Sequence, residues 1–480
     1  MAGQNKEDDR PTPNENLAER VGHVPAPDEP TVEATADAVS DLVSAVAEAL
    51  ARGDAKQVSE LTAPLNTADL ARVIELLEPT DRTGLATSLG AAFPAEVLSE
   101  LDETTRDQIS EALPNAQIAK AVTDLDTDDA AYVMESLEAD DKKDVLAQVP
   151  DTERAALERA LEYPEGSAGR LMQANFVAVP PYWTIGQVID HMRETDDLPE
   201  TFSDIFVVDA TFHVLGSVDL SRLLRTKRQI DVQDIMDTER HLLLATEDQE
   251  AVARQFERYD LKSAPVVDEN RRLVGVVTVD DVVEVVAQEA DEDIKRLAGL
   301  GDERLTDSVR QIAPPRFSWL LVNLFTAVLA SAVIKNFEST IEHMVALAVL
   351  MPIVASMGGN AGTQTMTVAV RALATESLMP ANVVRVVLRE TAVGLINGLL
   401  FACIMGAVAV LWFGGSKLGI VMGAAMIINM LAAALAGIFI PLALDRMGFD
   451  PAVASTVFVT TVTDVVGFFA FLGLASLLLM

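Results

Sequence analysis

Hydrophobic residues are distributed unevenly along the 480 residues of the chain. Five almost entirely apolar stretches follow one another in the last third, at 317–335, 343–369, 391–413, 418–443 and 453–479. A helix of about 20 apolar residues spans the hydrocarbon layer of a bilayer. Stretches such as "GLLFACIMGAVAVLWFGG" have no polar face at helical spacing, so the pattern predicts a five-helix transmembrane domain over 316–480 rather than a large soluble bundle.

The preceding residues have a different pattern, in which polar positions dominate. Residues 1–35 are rich in Pro, Asp, Glu and Asn, which predicts a disordered acidic tail. From 36 to 165, short amphipathic segments such as "LARVIELLEP" and "PAEVLSELDE" alternate with breaks that contain Pro or Asp. This alternation predicts an α-helical N-domain in which short helices stack into a small superhelix.

An internal repeat occupies residues 166–290, where "IFVVDATFHVLGSVDLSRLL" parallels "APVVDENRRLVGVVTVDDVV". Each copy predicts the order strand, helix, strand, turn, strand, helix, and this order resembles a tandem pair of α/β CBS domains. The carboxylate-rich segment 291–315, which ends at Pro314 and Pro315, predicts a connecting helix that leads to the first span. The predicted fold class is therefore multidomain, with a helical N-domain, a CBS pair, a connecting helix and a membrane domain.

Charge follows the same division as hydropathy. The chain carries 36 Lys and Arg against 73 Asp and Glu, a net charge of −37, and the part from Arg316 onward is neutral by itself. An acidic soluble part repels nucleic acid and attracts cations. Cys403 is the single cysteine, so we expect no intramolecular disulfide and a reducing compartment. The polar N-terminus has no signal-peptide pattern.

The loops between the apolar stretches predict the orientation in the membrane. Basic residues favour the cytoplasmic side. With the acidic domains in the cytoplasm, five arginines lie inside and two lysines outside: Arg316, Arg371, Arg385, Arg389, Arg446, Lys335 and Lys417. We therefore expect a multi-pass protein of the cytoplasmic (inner) membrane, with its N-terminal domains in the cytoplasm and its C-terminus outside.

One carboxylate, Asp464, lies near the middle of the fifth stretch, in "VFVTTVTDVVGFFAFLG". A charge at this depth costs several kcal/mol unless a partner offsets it. Thr460 and Thr461 precede it by four and three residues and share its helix face. Gly467 follows by three residues and allows a neighbouring helix to approach. A cation site that lines a pore, a structural hydrogen bond between helices and a proton relay each fit this pattern, and we favour the cation site.

The second stretch contains the irregular segment "PIVASMGGNAGTQTMTVAVRAL". Helix-weakening residues alternate there with polar ones: Pro352, Gly358, Gly359, Asn360, Gly362, Thr363 and Gln364. Polar backbone at membrane depth is tolerated where it is buried in protein or faces water. The segment therefore predicts a helix break whose freed carbonyls face a cation, and a tightly packed glycine face is the alternative.

The order of these parts resembles the MgtE family of magnesium transporters, from about residue 36 to 480. The segments "YPEGSAGRLM", "VTVDDVVEVV", "GGNAG", "DPAVAS" and "TVTDVVG" carry the resemblance. It implies a homodimeric, Mg2+-selective channel in the lipid bilayer, without enzymatic activity, which imports Mg2+ down its electrochemical gradient. Asp464 is then the selectivity carboxylate, and the neighbouring "GGNAG" residues line the same pathway.

The resemblance also implies that intracellular Mg2+ binds the acidic cytoplasmic domains and closes the channel. The carboxylates that match the sensor of the family are Glu250, Asp260, Asp281, Glu284, Glu289, Glu292, Asp293 and Asp450, with Asp128 in the N-domain. Two positions depart from the family pattern. Tyr132 stands where another carboxylate is expected, and Thr456 stands where an asparagine is expected near the pore.

Two further interpretations stay open. In nucleotide-binding CBS domains, a Thr followed three residues later by Asp meets the ribose, and Thr278 with Asp281 matches this pair in the second copy. The first copy has Asp219 and Arg222 at these positions and does not match. An adenine nucleotide such as ATP and a capped helix start at Thr278 both fit the second copy. A different class of function is a CBS-regulated secondary carrier, in which Asp464 couples transport to protons or Na+. The sequence contains no phosphate-binding loop and no His/Cys metal cluster that would indicate an enzyme.

Overall fold

The computed structural model describes residues 36–195, 198–199, 201–239, 241–301, 303, 307, 309–375, 378 and 381–479. The tail predicted for 1–35 lies outside the described residues. The chain divides into two compact units. The first runs to Leu125 and includes Val133–Gln148, and the second comprises Asp126–Tyr132 and the chain from Val149 onward.

Short α-helices build the first unit, and one of them, α8, is shared with the second. Their bounds are α1 Ala36–Ala51, α2 Ala55–Thr62, α3 Thr67–Leu76, α4 Pro79–Leu89, α5 Val97–Glu100, α6 Glu103–Ala112, α7 Asn115–Asp124, α8 Thr127–Glu135 and α9 Ala139–Leu146. Side-chain caps begin several of them, because Asp54, Asn66 and Asp102 each accept a hydrogen bond from the backbone N–H three residues later. The predicted helical N-domain is confirmed.

Two small sheets of identical topology follow in the second unit. They comprise β1 Ala178–Val179, β2 Asp204–Val208 and β3 Val214–Asp219, and then β4 Leu243–Leu244, β5 Ser263–Val267 and β6 Leu273–Thr278. In each sheet the first strand is parallel to the second and the second antiparallel to the third. The middle strands β2 and β5 are buried throughout, as expected where both faces of a sheet are covered. The internal repeat is therefore structural.

Five helices accompany these sheets, namely α10 Asp151–Glu162, α11 Ala168–Leu171, α12 Ile185–Glu194, α13 Leu220–Arg225 and α14 Gln249–Tyr259. The α15 helix (Val279–Leu297) begins directly after β6. A continuous connecting helix over 291–315 is therefore wrong, because α15 ends at Leu297 and α16 begins at Val309. Gly299 follows with φ +74°, a left-handed conformation that suits glycine and ends a helix. Pro314 and Pro315 lie inside α16.

Five helices are long and apolar enough to cross a membrane, among the residues that the structure describes. They are α16 Val309–Lys335, α18 Ala346–Ala374, α19 Val383–Phe413, α20 Ser416–Arg446 and α21 Pro451–Leu479, with the short α17 Glu338–His343 between the first two. Half of the most apolar segment of α20 is buried inside the protein, whereas only 6% of the most apolar segment of α16 is buried. The fourth span therefore forms the core of this domain, where it packs against α18, α19 and α21.

The second span α18 is a continuous helix, so the break predicted at "GGNAG" is wrong. Its glycines serve close packing instead. A methyl group at Gly358 would overlap the side-chain amide of Asn429, and one at Gly362 would lie 2.5 Å from Cγ1 of Val459. In lipid, backbone groups have no water to bond with, so the helix keeps its internal hydrogen bonds even at glycines. Small residues also let neighbouring helices approach closely. The alternative of a tightly packed glycine face is the correct one.

Candidate ion pathway and cytoplasmic carboxylates

Asp464 lies on α21 as a partly exposed side chain. Among the described residues, no hydrogen bond or ion pair joins its carboxylate to another group. The nearby hydroxyls bond to their own helix, since Thr460 donates to the carbonyl of Thr456 at 2.9 Å and Thr461 donates to that of Val457 at 2.6 Å. The predicted structural hydrogen bond from Asp464 to a neighbouring helix is therefore not formed among the described residues.

A row of exposed polar side chains runs along α18 at helical spacing. This polar stripe consists of Ser356, Asn360, Gln364 and Thr367. Polar side chains within a membrane span face a water-filled cavity or protein rather than lipid. The stripe therefore marks a face of the single chain that is suited to water or to another protein surface.

The structure brings only some of the predicted pathway residues together. A methyl group at Gly359 would lie 3.9 Å from Cγ2 of Thr460, so α18 and α21 are neighbours at this level. Thr363 donates to the carbonyl of Gly359 at 3.0 Å, within its own helix. No hydrogen bond among the described residues joins Asp464 to Asn360 or Gln364. The two helices thus meet through their small residues, and their polar groups remain unpaired with one another.

Two of the predicted sensor residues, Asp128 and Asp281, form a buried carboxylate pair inside the second unit. Burial, followed by the charge of Asp281, raises the pKa of Asp128 well above its usual range. Burial also raises the pKa of Asp281 to about 6, although a hydrogen bond from Thr278 opposes the change. Oδ1 of Asp128 is buried and has no hydrogen-bond partner among the described residues. Positive charge beside the two carboxylates would favour their ionised forms.

The predicted ribose-binding residues are Thr278 and Asp281, so they include one member of this carboxylate pair. Thr278 Oγ1 donates to Asp281 Oδ2 at 2.6 Å, and Gln173 Nε2 donates to the same oxygen at 3.5 Å. Thr278 is the N-cap residue of α15; its side chain makes no capping hydrogen bond, whereas its backbone hydrogen-bonds to the Asp281 carboxylate in the first turn.

Four further predicted carboxylates, Glu250, Glu289, Asp293 and Asp450, influence one another where α15 meets the start of α21. We call them the junction carboxylates. Burial raises the pKa of Glu289, and the charge of Glu250 adds to the effect. Burial also raises the pKa of Asp293, with the charges of Glu250 and Asp450 adding and that of Arg371 opposing. Burial and the neighbouring charges thus disfavour ionisation of Glu289 and Asp293.

Arg296 is a residue of this junction that the sequence did not indicate. Its Nη1 donates to Asp450 Oδ2 at 2.7 Å, and it forms a second ion pair with Glu292. Six residues after Asp450, Thr456 donates to the carbonyl of Leu297 at 3.0 Å. The end of α15 is therefore fastened to α21, and a guanidinium already compensates two of the predicted sensor carboxylates there.

The remaining sensor residues are less well placed. Asp260 is exposed in the left-handed position that ends α14, and no described contact joins it to the others. The charge of Glu284 raises the pKa of Asp281. Among the described residues, no group of three or more His, Cys, Asp or Glu side chains has the geometry of a metal site.

A membrane domain with an uncompensated carboxylate, fastened to a CBS pair through an acidic helix, defines a CBS-linked transporter of cations. Sequence profiles of known families agree with this class. The MgtE profile, a divalent cation transporter, matches residues 351–474, and the MgtE intracellular N domain matches 65–166. The CBS domain profile matches 168–228 and 232–288.

Individual relatives give the same result. The chain is 37% identical to the magnesium transporter MgtE of Thermus thermophilus over 332 residues, which covers 68% of this chain and 73% of that one. It is 32% identical to that of Bacillus subtilis, covering 69% and 74%. A crystal structure of the cytosolic domain of the Mg2+ channel MgtE with ATP is 32% identical, with a TM-score of 0.46, and covers 51% of this chain and 99% of that one. The chain belongs to the MgtE family.

Proposed function

We propose that this protein is a homodimeric, Mg2+-selective channel of the cytoplasmic membrane, which imports Mg2+ down its electrochemical gradient and closes when intracellular Mg2+ is high. The observation that carries the proposal is the carboxylate of Asp464, which lies within an apolar span and has no hydrogen bond or ion pair among the described residues. Membership in a family of divalent cation transporters supplies the class of substrate. The proposal assigns transport and no catalytic reaction.

The polar stripe supports the dimer. Its four side chains are exposed on a helix that is otherwise suited to a membrane. A second copy that packs through a twofold axis would cover this face and bring two Asp464 carboxylates to one central path. Water between the two copies would then solvate the stripe, which lipid does not do.

Selectivity follows from the chemistry of the ion. Mg2+ holds its octahedral water shell tightly, so a pore for it accommodates the hydrated ion. Two Asp464 carboxylates accept hydrogen bonds from the coordinated waters and attract the double charge. A monovalent cation gains about half as much electrostatic energy from the same pair of charges. The site therefore discriminates by charge and hydration rather than by direct coordination.

Closure follows from the cytoplasmic carboxylates. The buried oxygen of Asp128 without a partner fits a bound cation, so Asp128 and Asp281 would hold one Mg2+, and the junction carboxylates would hold another. The bound ions supply positive charge that keeps these acidic surfaces together. Because Mg2+ binds the closed arrangement better, it shifts the population toward that arrangement. The contact of Leu297 with Thr456 gives this shift a direct route to α21.

ATP belongs to the proposal as a second ligand of the CBS pair, at Thr278 and Asp281. We expect ATP to stabilise the protein against thermal unfolding, because hydrogen bonds to its ribose would replace the one between Thr278 and Asp281. Thermal stabilisation by ATP that is lost in a Thr278→Val variant would support this part, and unchanged stabilisation would contradict it.

The transport proposal is tested with the full-length protein in liposomes that contain a Mg2+-sensitive dye. Asp464→Asn is compared with Asp445→Asn, which makes the same chemical change at an exposed position near the end of α20. We expect Asp464→Asn to lower Mg2+ influx under an imposed membrane potential by about tenfold or more, because a dication loses its counter-charge. Asp445→Asn should conduct like the native protein. Equal influx in both variants would contradict the proposal, and influx that follows a proton or Na+ gradient instead of the potential would favour a secondary carrier.

A further inference from the structure

The fourth span contains one buried amide, Asn429, that the proposed pathway does not use. Its side chain is only 1% exposed in the middle of α20. Nδ2 donates to the carbonyl of Val354 on α18 at 2.8 Å, whereas Oδ1 has no hydrogen-bond partner in the part of the chain that the structure describes. A buried polar atom without a partner costs about 1–3 kcal/mol. A side chain that is retained despite this cost, where an apolar one would pack, calls for an explanation.

Asn429 lies between two glycines on two different helices. A methyl group at Gly358 of α18 would overlap the amide, with its Cγ only 2.7 Å away. A methyl group at Gly467 of α21 would lie 2.8 Å from Nδ2. At both glycines, the three nearest atoms all belong to Asn429. The amide therefore fills a space that only glycine leaves open on either side.

Both contacts are made beside the residues of the candidate pathway. Gly467 follows Asp464 by three residues, which is one turn of α21. Gly358 precedes Asn360 of the polar stripe by two residues on α18. The hydrogen bond to Val354 fastens α20 to α18 one further turn away. A single side chain thus contacts the carboxylate-bearing helix and the helix that bears the stripe at the same level.

We propose that Asn429 is a positioning residue of the ion pathway, whose amide fixes the rotation and separation of α18 and α21 so that the polar stripe and Asp464 border the same space. It does not touch the ion, because it is buried away from any exposed surface. A directed hydrogen bond specifies one rotation of a helix, whereas apolar contacts tolerate several. The inference rests on the proposed role of Asp464.

The test compares Asn429→Ala with Met422→Ala. Met422 is fully buried two turns earlier on the same helix and belongs to the apolar core, so its truncation is a matched loss of packing. Influx of Mg2+, the permeability ratio of Mg2+ to Na+ and the melting temperature are measured in the same liposome preparation. We expect Asn429→Ala to lower influx and the ratio about tenfold, by analogy with residues that orient metal ligands. Met422→Ala should lower the melting temperature but keep the ratio.

A second comparison tests the contact itself. Gly358→Ala should lower the melting temperature in the native background, since the new methyl meets the Asn429 amide. In the Asn429→Ala background the same change should be tolerated, because all three nearest atoms have been removed. An equal loss in both backgrounds would overturn the steric argument. If Asn429→Ala does not assemble, Asn429→Ser gives the same comparison, because its hydroxyl is one bond shorter than the amide.

The outcomes separate this inference from the proposed function. If Asp464→Asn conducts normally, the proposed function fails and takes the inference with it. If Asp464→Asn is inactive but Asn429→Ala keeps the native permeability ratio, only the positioning role is overturned. The positioning role would also be overturned if Asn429→Ala and Met422→Ala both lost influx in proportion to the fall in their melting temperatures.

Discussion

Carboxylates occupy two contrasting environments in this molecule. In the membrane domain, Asp464 stands alone, without hydrogen bond or ion pair among the described residues. Outside the spans the carboxylates are grouped, with Asp128 beside Asp281, and Asp450 paired with Arg296. The first region holds a single carboxylate, and the second holds carboxylates that repel one another, with Arg296 offsetting the charge of Asp450.

Under the proposed function, the difference corresponds to two tasks. A conducting site has to release its ion, so a lone carboxylate that attracts a hydrated ion without direct coordination is suitable. A sensing site has to bind an ion long enough to change a population, and neighbouring carboxylates with raised pKa values gain from such an ion. Substitutions of single carboxylates can therefore separate conduction from sensing.

The largest expected effect separates conduction from sensing. Asp464→Ala should reduce Mg2+ influx by about a hundredfold, since it removes a charge placed where the ion passes. Asp281→Asn should retain full influx at low internal Mg2+ but should no longer close when internal Mg2+ is raised. The measurement is dye-reported influx into liposomes preloaded with or without Mg2+. Loss of influx in Asp281→Asn would remove the distinction between the two regions.

The buried carboxylate pair gives the next effect. Asp128→Asn removes one of two buried neighbouring charges, so the metal-free protein should melt at a higher temperature. The same change should raise the Mg2+ concentration that gives half-maximal protection from proteolysis by about tenfold. Asp140→Asn, at an exposed carboxylate of α9, is the control. Unchanged protection by Mg2+ in Asp128→Asn would show that the pair does not bind the ion.

A pH dependence follows from the pKa of Asp281, which burial raises to about 6. Between the usual pKa of about 4 and this value, the folded state binds more protons than the unfolded state, so this group's contribution to stability is lost as pH rises. Mg2+ needs deprotonated carboxylates, so its stabilising effect should grow several-fold when the pH is raised through about 6. Melting temperatures with and without Mg2+ below and above that pH check this. An equal increment on both sides would contradict it, and Asp281→Asn should flatten the dependence.

The smallest effect concerns Arg296, which links the end of α15 to Asp450. Arg296→Gln leaves Glu292 and Asp450 without their internal cation, so Mg2+ should bind the junction carboxylates a few-fold more tightly. Because the ion pair is partly exposed, its own contribution to stability is expected to be at most about 1 kcal/mol. Protection of the segment after Leu297 from proteolysis, titrated with Mg2+, measures the shift. A weaker response to Mg2+ would mean that Arg296 supports the ion rather than replacing it.

The apolar pattern predicted the membrane domain well because burial in lipid depends on composition over a long window. The fourth span, expected at 418–443, is the helix Ser416–Arg446. Asp464 was identifiable for the same reason, as a charge in an apolar run. The helical N-domain was predictable from the spacing of its apolar residues, and the two sheets were predictable from the internal repeat. Both patterns are also local properties of the sequence.

Other features depend on which elements become neighbours, and local patterns do not contain this information. The glycines of α18 suggested a break because glycine weakens isolated helices, but packing against Asn429 and Val459 decides their role. The end of α15 at Leu297 depends on Gly299. Arg296 and Asp450 are 154 residues apart in the chain, and their ion pair follows from tertiary structure alone. Asn429 was visible as a polar residue in the fourth span, but its partners were not.

The central claim is that the charge of Asp464 is offset by a hydrated dication and not by the protein. An experimental structure of the full-length protein in lipid with Mn2+, whose anomalous scattering marks the ion, tests this most directly. We predict an ion peak on a dimer axis about 4–5 Å from the Asp464 oxygens, the distance expected when one coordinated water lies between them. A side chain of Asp464 turned away from any central path and hydrogen-bonded to a neighbouring helix, with no peak nearby, would contradict the claim.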